Sequence, residues 1–184
     1  MKIVSGKYGG RRLIVPKNRD IRPTTDKVRG AVFNMLLSRG AVQDVRVLDA
    51  FCGSGALGLE ALSRGAAHCT FVDRARVSID LARENAAALN ALDDCAFSVR
   101  DSLKGMVKQQ DSEAYGLVFL DPPYHKDLIG AALEPLVSGG WLADEAWIVC
   151  ESEKQFVLPT IEGIIPDQEK TYGDIKITLA AFNR

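Results

Sequence analysis

Several carboxylates in this chain stand directly after short apolar runs, and the most unusual of them is followed by two prolines and a ring. The stretch reads Gly116-Leu117-Val118-Phe119-Leu120-Asp121-Pro122-Pro123-Tyr124. A buried strand that ends on an acid, a stiff turn and an aromatic has the parts of a socket for a planar amine. An exocyclic amine of a nucleobase is a poor nucleophile, because its lone pair is conjugated with the ring. The Asp121 carboxylate can accept one N–H hydrogen bond and favour the positive charge that develops on nitrogen, while the Pro122 carbonyl accepts the other. Proline fixes φ, so Pro122 and Pro123 set these acceptors before the amine arrives. Tyr124 can stack on the base, an interaction worth roughly 1–3 kcal/mol. Asp121, Pro122, Pro123 and Tyr124 are the candidate catalytic residues.

A second chemical signal lies upstream, in Val47-Leu48-Asp49-Ala50-Phe51-Cys52-Gly53-Ser54-Gly55-Ala56-Leu57-Gly58. Gly53, Gly55 and Gly58 have the spacing of the glycine fingerprint that follows a strand and opens a helix. Asp73 stands 20 residues beyond Gly53, at the end of the next apolar run, where an acid accepts from ribose hydroxyls. The pattern predicts an adenosine-type cofactor. Asp49 narrows the choice, since a carboxylate in the loop repels a pyrophosphate but suits a cation. S-adenosylmethionine carries an ammonium and a sulfonium and no phosphate, so charge favours it. Asp49 has a plainer reading too, as a cap for the loop's own N–H groups. Asp101, after a third run, is placed to accept from the adenine amine, with Ser102 beside it, and it too has a reading as a helix cap. Phe51, Ser54 and Arg74 complete the candidate cofactor contacts: Asp49, Phe51, Gly53, Ser54, Gly55, Asp73, Arg74, Asp101 and Ser102. No metal is expected.

Four other residues attract attention without a role assigned to them. His125 follows the aromatic, but an amine that has just gained a methyl group loses its proton readily, so no strong base is required. Cys52 suggests a thiol nucleophile, yet it sits in the cofactor loop and reads as packing. Trp141 and Trp147 read as core or edge residues. Cys52, Cys69, Cys95 and Cys150 form no Cys-x-x-Cys pair, so they read as reduced thiols rather than zinc ligands or a disulfide framework.

The elements needed to hold these groups are visible in the spacing. Apolar runs at 45–48, 69–72, 96–99, 117–120 and 146–150 alternate with helix-like stretches at 56–64, 75–90 and 127–137 and a weaker one at 103–109. Short apolar strands separated by helices predict a parallel sheet covered on both faces. Runs at 163–166 and 175–182, joined by a short polar link with no helix, predict an antiparallel hairpin at one edge. The whole is an α/β, Rossmann-like architecture. In such a sheet, ligands bind beyond the strand ends where strand order reverses. If the first and fourth strands are neighbours there, Asp121 faces the glycine loop.

At 47% hydrophobic and 26% charged residues, the chain has an ordinary globular composition and no run long enough for a membrane helix. Its start shows no long apolar stretch, and the expectation is a cytoplasmic protein. The net charge of −1 conceals a split. Residues 1–29 hold nine Lys/Arg and two Asp, a net +7, and the remainder is −8. A basic arm on an acidic body predicts a polyanionic partner, with Lys7, Arg11, Arg12, Arg22, Lys27 and Arg29 as candidate phosphate contacts. Residues 1–40 read as an RNA-contacting arm and helix, with little core in the arm itself, and residues 41–184 as the catalytic domain. Pro23-Thr24-Thr25-Asp26 reads as the start of that helix.

Four segments together resemble one family. "IVSGKYGGRRLIVP", "RPTTDKVRGAVFNML", "LDAFCGSGALGLEALSRGA" and "DPPY" occur in the order and spacing of the bacterial 16S rRNA guanine-N2 methyltransferases, the RsmD-like family, and the likeness runs from residue 3 to "KTYGDIKITL". The resemblance implies a seven-stranded, mostly parallel methyltransferase sheet with an antiparallel C-terminal strand. It also implies S-adenosylmethionine, and a guanine of 16S rRNA met in a small-subunit ribosomal particle by a monomeric enzyme. Gly30 departs from the pattern, where members often carry Glu. From the residues alone three alternatives stand: a DNA adenine or cytosine amino-methyltransferase, a nicotinamide oxidoreductase opposed by Asp49 and the prolines, and a non-catalytic ribosome-assembly factor opposed by the intact Asp121.

Overall fold

Each apolar run of the central segment forms a strand, because helices covering both faces of a sheet shield most side chains of its inner strands from water. The computed structural model describes residues 1–15, 25–104, 113–124 and 128–184. The strands are β1 (Arg46–Asp49), β2 (His68–Asp73), β3 (Cys95–Val99), β4 (Tyr115–Leu120), β5 (Leu142–Glu153), β6 (Ile164–Tyr172) and β7 (Ile175–Phe182). The helices are α1 (Asp26–Leu37), α2 (Ala56–Ser63), α3 (Arg76–Ala88) and α4 (Leu128–Ser138). The strands make one sheet in the order β3-β2-β1-β4-β5-β7-β6. All the pairings from β3 to β5 are parallel, and β7 runs antiparallel to both β5 and β6. Strand order reverses between β1 and β4, and their parallel pairing sends the glycine loop and Asp121 out at the same end.

Alternate residues of each strand feed two cores. Val47, Phe71, Leu117, Phe119 and Val149 face α1, α2 and α3, while Leu48, Val72, Val118, Leu120 and Ile148 face α4. Thr25 caps α1, its hydroxyl accepting from the Val28 N–H at 3.3 Å. Pro23 and Thr24 lie outside the described residues, as do Asp127 and all of the weak helical stretch beyond Lys104; a 3-10 turn covers Ser102–Lys104.

The C-terminal hairpin departs from the expected boundaries. The polar link is itself strand, because β6 continues through Asp167, Glu169 and Lys170 to Tyr172. β6 lies at the sheet edge, where one neighbour and one exposed side tolerate a polar sequence. Its Pro166 sits at a register shift in the pairing with β7, a usual place for a residue that lacks an N–H.

The N-terminal arm is a small antiparallel hairpin bridged at Lys2 and Arg12. It is not an appendage, as its Ile3 and Leu13 are buried in the same core as α1, α2 and β1. Gly6 lies against the end of α2 so closely that an added Cβ would stand 1.8 Å from the Ser63 carbonyl oxygen. Glu60, fully buried in α2, accepts from the Val4 and Ser5 N–H groups at 2.7 and 3.0 Å.

Candidate active site

The candidate cofactor side is built from backbone N–H groups and strand-end carboxylates. The loop leaving β1 is stitched to both neighbouring strands, Ala50 N–H to the Phe119 carbonyl at 3.1 Å and Cys52 N–H to the Val72 carbonyl at 3.0 Å. Gly55, at φ 79°, ends the loop and starts α2. Gly58 lets α2 approach β2, since a Cβ there would lie 2.4 Å from the Phe71 ring. Over Gly53, by contrast, an added Cβ meets nothing within 4 Å, so the backbone is open to a ligand at that point.

Asp49 is buried at 2% exposure, and its Oδ2 accepts from the Gly58 N–H at 3.0 Å. Loss of hydration pushes its pKa up to about 7, with the nearby Asp73 charge adding to the rise and the Gly58 N–H opposing it. It caps α2, and its burial makes a cationic neighbour favourable. Asp73 is half-buried. One oxygen accepts from the Gly53 N–H at 3.1 Å and the other from the Ala75 N–H at 2.8 Å. A carboxylate has about four lone-pair sites, so acceptor capacity remains for a ribose. Asp101 accepts from the Leu103 N–H at 3.1 Å, which is the capping role, and the Ser102 hydroxyl donates to the Ala50 carbonyl. That bond draws the β3 exit toward the β1 exit. Phe51 is half-buried and packs against the α4-side core. Arg74 is exposed beyond β2. Cys52 is buried between these carboxylates; loss of hydration first, then Asp49 and Asp73, raise its thiol well above the ordinary range, so it stays protonated and packs.

On the other side of the reversal, Asp121, Pro122, Pro123 and Tyr124 leave β4 in turn. Pro122 is buried, Pro123 exposed, and Asp121 and Tyr124 half-buried. The Tyr124 hydroxyl donates to Glu151 Oε1 at 3.0 Å. His125 lies outside the described residues. Trp141 is core, stacked on Tyr115 with ring centroids 6.2 Å apart, and Trp147 lies under the Arg39 guanidinium at 5.3 Å.

The basic residues divide. Lys7, Arg11, Arg12 and Lys27 are exposed, Lys7 beside Asp94 at 3.4 Å and Arg11 donating to the Ala88 carbonyl. Arg22 lies outside the described residues. Arg29 is corrected: it is fully buried and cannot meet a phosphate at the surface. Its guanidinium pairs with Asp26 at 2.9 Å and Glu60 at 3.3 Å and donates to the Lys2 carbonyl. It follows Val28 on the face of α1 that packs inward, and the acid that requires it, Glu60, stands 31 residues away. Gly30 faces the arm, where a Cβ would make ordinary contact with Val4 at 3.6 Å.

Two residues of the site escaped the sequence reading. Asn85 is buried at 1% exposure. Its amide donates to the Ile14 and Ser54 carbonyls, both at 2.9 Å, and its oxygen accepts from the Ile14 N–H at 2.7 Å. It joins the basic arm to the cofactor loop. The signal for it was a polar residue on the Ile79, Ala82, Ala86 face of α3. Glu151 was legible as an acid directly after the apolar run of β5, the same signal that picked out Asp49, Asp73 and Asp121.

Among the described residues no His, Cys, Asp and Glu cluster could hold a metal ion, and no helix is long and apolar enough to cross a membrane.

Comparison with known proteins adds to this geometry. Residues 1–181 match the family described as Conserved hypothetical protein 95. The chain is 40% identical over 161 residues to Ribosomal RNA small subunit methyltransferase D of Escherichia coli (strain K12), spanning 88% of this chain and 79% of that one. The protein of the same name from Haemophilus influenzae (strain ATCC 51907 / DSM 11121 / KW20 / Rd) is 34% identical over 180 residues, 97% of this chain and 92% of its own. The solved structure of yhhF from Escherichia coli superposes with a TM-score of 0.85 at 35% identity, covering 100% of this chain and 98% of the other.

Proposed function

We propose the reaction from one premise: this chain belongs to the family of ribosomal RNA small subunit methyltransferase D. It is an S-adenosylmethionine-dependent methyltransferase, and the acceptor we assign is the exocyclic N2 amine of a guanine in 16S rRNA. The observation that carries this reading is the exit of Asp121-Pro122-Pro123-Tyr124 from β4 beside the glycine loop of β1, at the point where strand order reverses.

S-adenosylmethionine, when bound, supplies an electrophilic methyl group on its sulfonium. The residues fit such a cofactor: open space over Gly53, the Asp73 carboxylate with acceptor capacity for a ribose, and Asp49, whose burial favours a cation over a phosphate. Asp101, Ser102 and Phe51 flank the position for its adenine, with Ser54 and Gly55 in the loop and Arg74 at the rim. The rest of the work falls to the β4 loop. The Asp121 carboxylate accepts one N–H of the amine and the Pro122 carbonyl the other. Together they draw the nitrogen lone pair out of conjugation with the ring and favour the positive charge that develops. The methylated nitrogen then gives up a proton readily, to Asp121 or through it to water. Pro122 and Pro123 hold the acceptors in place, and Tyr124 stacks on the base taken out of its own stack.

Residues 1–40 serve as the RNA-contacting part. Lys7, Arg11, Arg12 and Lys27 present their charges to solvent, which supports phosphate contact with the rRNA of a small-subunit particle. One chain supplies all these groups, which supports action as a monomer, and a ribosomal substrate implies the cytoplasm. The test is mass spectrometry of rRNA from a strain lacking the gene. A single missing methyl group on a 16S guanine N2, restored by the wild-type gene, is expected. Fully methylated 16S rRNA in that strain refutes the assignment.

A further inference from the structure

β5 has no part in the reaction as described, yet it ends beside the target-base loop. β4 and β5 pair in parallel with Leu120 opposite Cys150. The next residues along, Asp121 and Glu151, therefore leave this register as neighbours. Glu151 is only 4% exposed, and the Tyr124 hydroxyl donates to its Oε1 at 3.0 Å. A carboxylate at that depth persists only where donors satisfy it. Its backbone is fixed on the other side by the antiparallel ladder with β7, opposite Ile177.

We infer that Glu151 is a positioning residue for methyl transfer: its buried carboxylate holds the Tyr124 hydroxyl and so fixes the plane of the ring on which the target base stacks. The inference rests on the assignment of Tyr124 as the stacking residue. The diproline turn sets the backbone that leads into Tyr124 but leaves its two side-chain torsions free. A ring fastened only at Cα swings, and the base stacked on it swings too. Fastening the hydroxyl end to a carboxylate in the middle of the sheet removes that freedom. The gain is in orientation of the amine rather than in affinity, and displacement of a reacting group by about 1 Å costs on the order of 100-fold in rate. Tyrosine rather than phenylalanine then has a reason at this position. The ring supplies the stacking surface, and the hydroxyl supplies the anchor.

The experiment combines turnover with a direct view of the ring. Tyr124→Phe keeps the stacking face and removes the anchor, so kcat on small-subunit RNA should fall roughly tenfold, the scale of one hydrogen bond to a charged group, with cofactor affinity unchanged. Glu151→Leu should match it, and the double variant should be no worse than either single one, because both remove the same interaction. Glu151→Gln keeps an acceptor for the hydroxyl and should recover most of the rate that Glu151→Leu forfeits. In protein carrying ring-labelled tyrosine, the NMR signals of Tyr124, identified by their disappearance in Tyr124→Phe, should shift or broaden in Glu151→Leu and hold in Glu151→Gln. Unchanged Tyr124 signals in Glu151→Leu, wild-type turnover in Tyr124→Phe, or single effects that multiply to about 100-fold in the double variant would overturn the inference. If the Tyr124 signals respond as expected while wild-type protein transfers no methyl group to RNA, the anchor stands and the assigned reaction falls.

Discussion

The loops that leave β1 and β4 exit the same end of the sheet, yet they are held in different ways. The β1 loop is held by carboxylates that bond backbone: Asp49 to Gly58, and Asp73 to both Gly53 and Ala75. The β4 loop is held by two prolines and by the side-chain bond from Tyr124 to Glu151. On the cofactor side the acids we assign to the ligand also hold the fold, so the proposal makes binding and stability one property there. On the base side two prolines set the turn, and Asp121 is the carboxylate we assign to the amine. Carboxylate substitutions in the two loops should therefore fail differently.

Asp121→Ala carries the largest expected effect. Methyl transfer should drop about 100-fold or more, the scale of losing one transition-state acceptor, while cofactor affinity measured by calorimetry stays within a few-fold. Equal decreases in turnover and cofactor binding would erase the distinction between the loops. Asp73→Ala should behave in the opposite sense. Cofactor affinity should fall by about tenfold, and thermal stability should fall with it by about 1 kcal/mol, the usual cost of removing a carboxylate cap. A variant that binds cofactor normally but melts early would make Asp73 purely structural.

The basic arm extends the same contrast. Sequence alone makes the arm look removable, but Ile3 and Leu13 are core residues, each worth roughly 1.5–3 kcal/mol when buried, and Asn85 ties Ile14 to Ser54 of the cofactor loop. Deleting the arm should therefore damage the candidate cofactor loop as well as the surface proposed to meet RNA. Charge reversal at the exposed Arg11 and Arg12 is the cleaner probe. Melting should fall by only about 1 kcal/mol, from the lost Arg11 bond to the Ala88 carbonyl at the end of α3. RNA affinity should fall severalfold, and the log–log salt dependence should flatten by about 0.7 for each phosphate no longer neutralised. An unchanged salt slope would assign phosphate binding to other residues.

The effect of Asp49 shows only as a dependence on pH. With its pKa raised to about 7 by burial, the folded chain binds a proton more tightly here than the unfolded chain does. Stability from this group therefore falls as pH rises from about 4 to 7 and is level above that range. Asp49→Asn should remove that slope and stabilise the cofactor-free protein at pH 8 by at most a few kcal/mol, while weakening cofactor binding. In the wild type, cofactor affinity should strengthen as pH rises through 7, since a cation favours the ionised form. Thermal melts from pH 5 to 8, with and without S-adenosylmethionine, measure both slopes, and parallel slopes in wild type and Asp49→Asn would contradict them.

The sheet was legible because a parallel strand buried on both faces needs a continuous apolar run, and each central run became one. The candidate site was read from acids that follow those runs, and the parallel pairing brings Asp49, Asp73, Asp101 and Asp121 to one end of the sheet. Glu151 obeys the same rule but has no glycine loop or diproline beside it to draw attention. Arg29 was misread for a physical reason: sequence charge density does not distinguish a solvated arginine from one neutralised by an acid far along the chain, here Glu60. The polar half of β6 was missed because an edge strand needs no apolar alternation. Asn85 was hidden because a hydrogen-bonded amide in a core breaks the helical pattern by a single residue.

If Asp121 prepares a guanine amine for methylation, the label should follow that amine. Purified protein should be incubated with small-subunit RNA from a strain lacking the gene and with methyl-labelled S-adenosylmethionine, and the RNA digested to nucleosides. Label is expected in N2-methylguanosine alone, falling about 100-fold in Asp121→Ala. Label in a methylated adenosine or cytidine, or undiminished N2-methylguanosine in Asp121→Ala, would contradict the role given to Asp121.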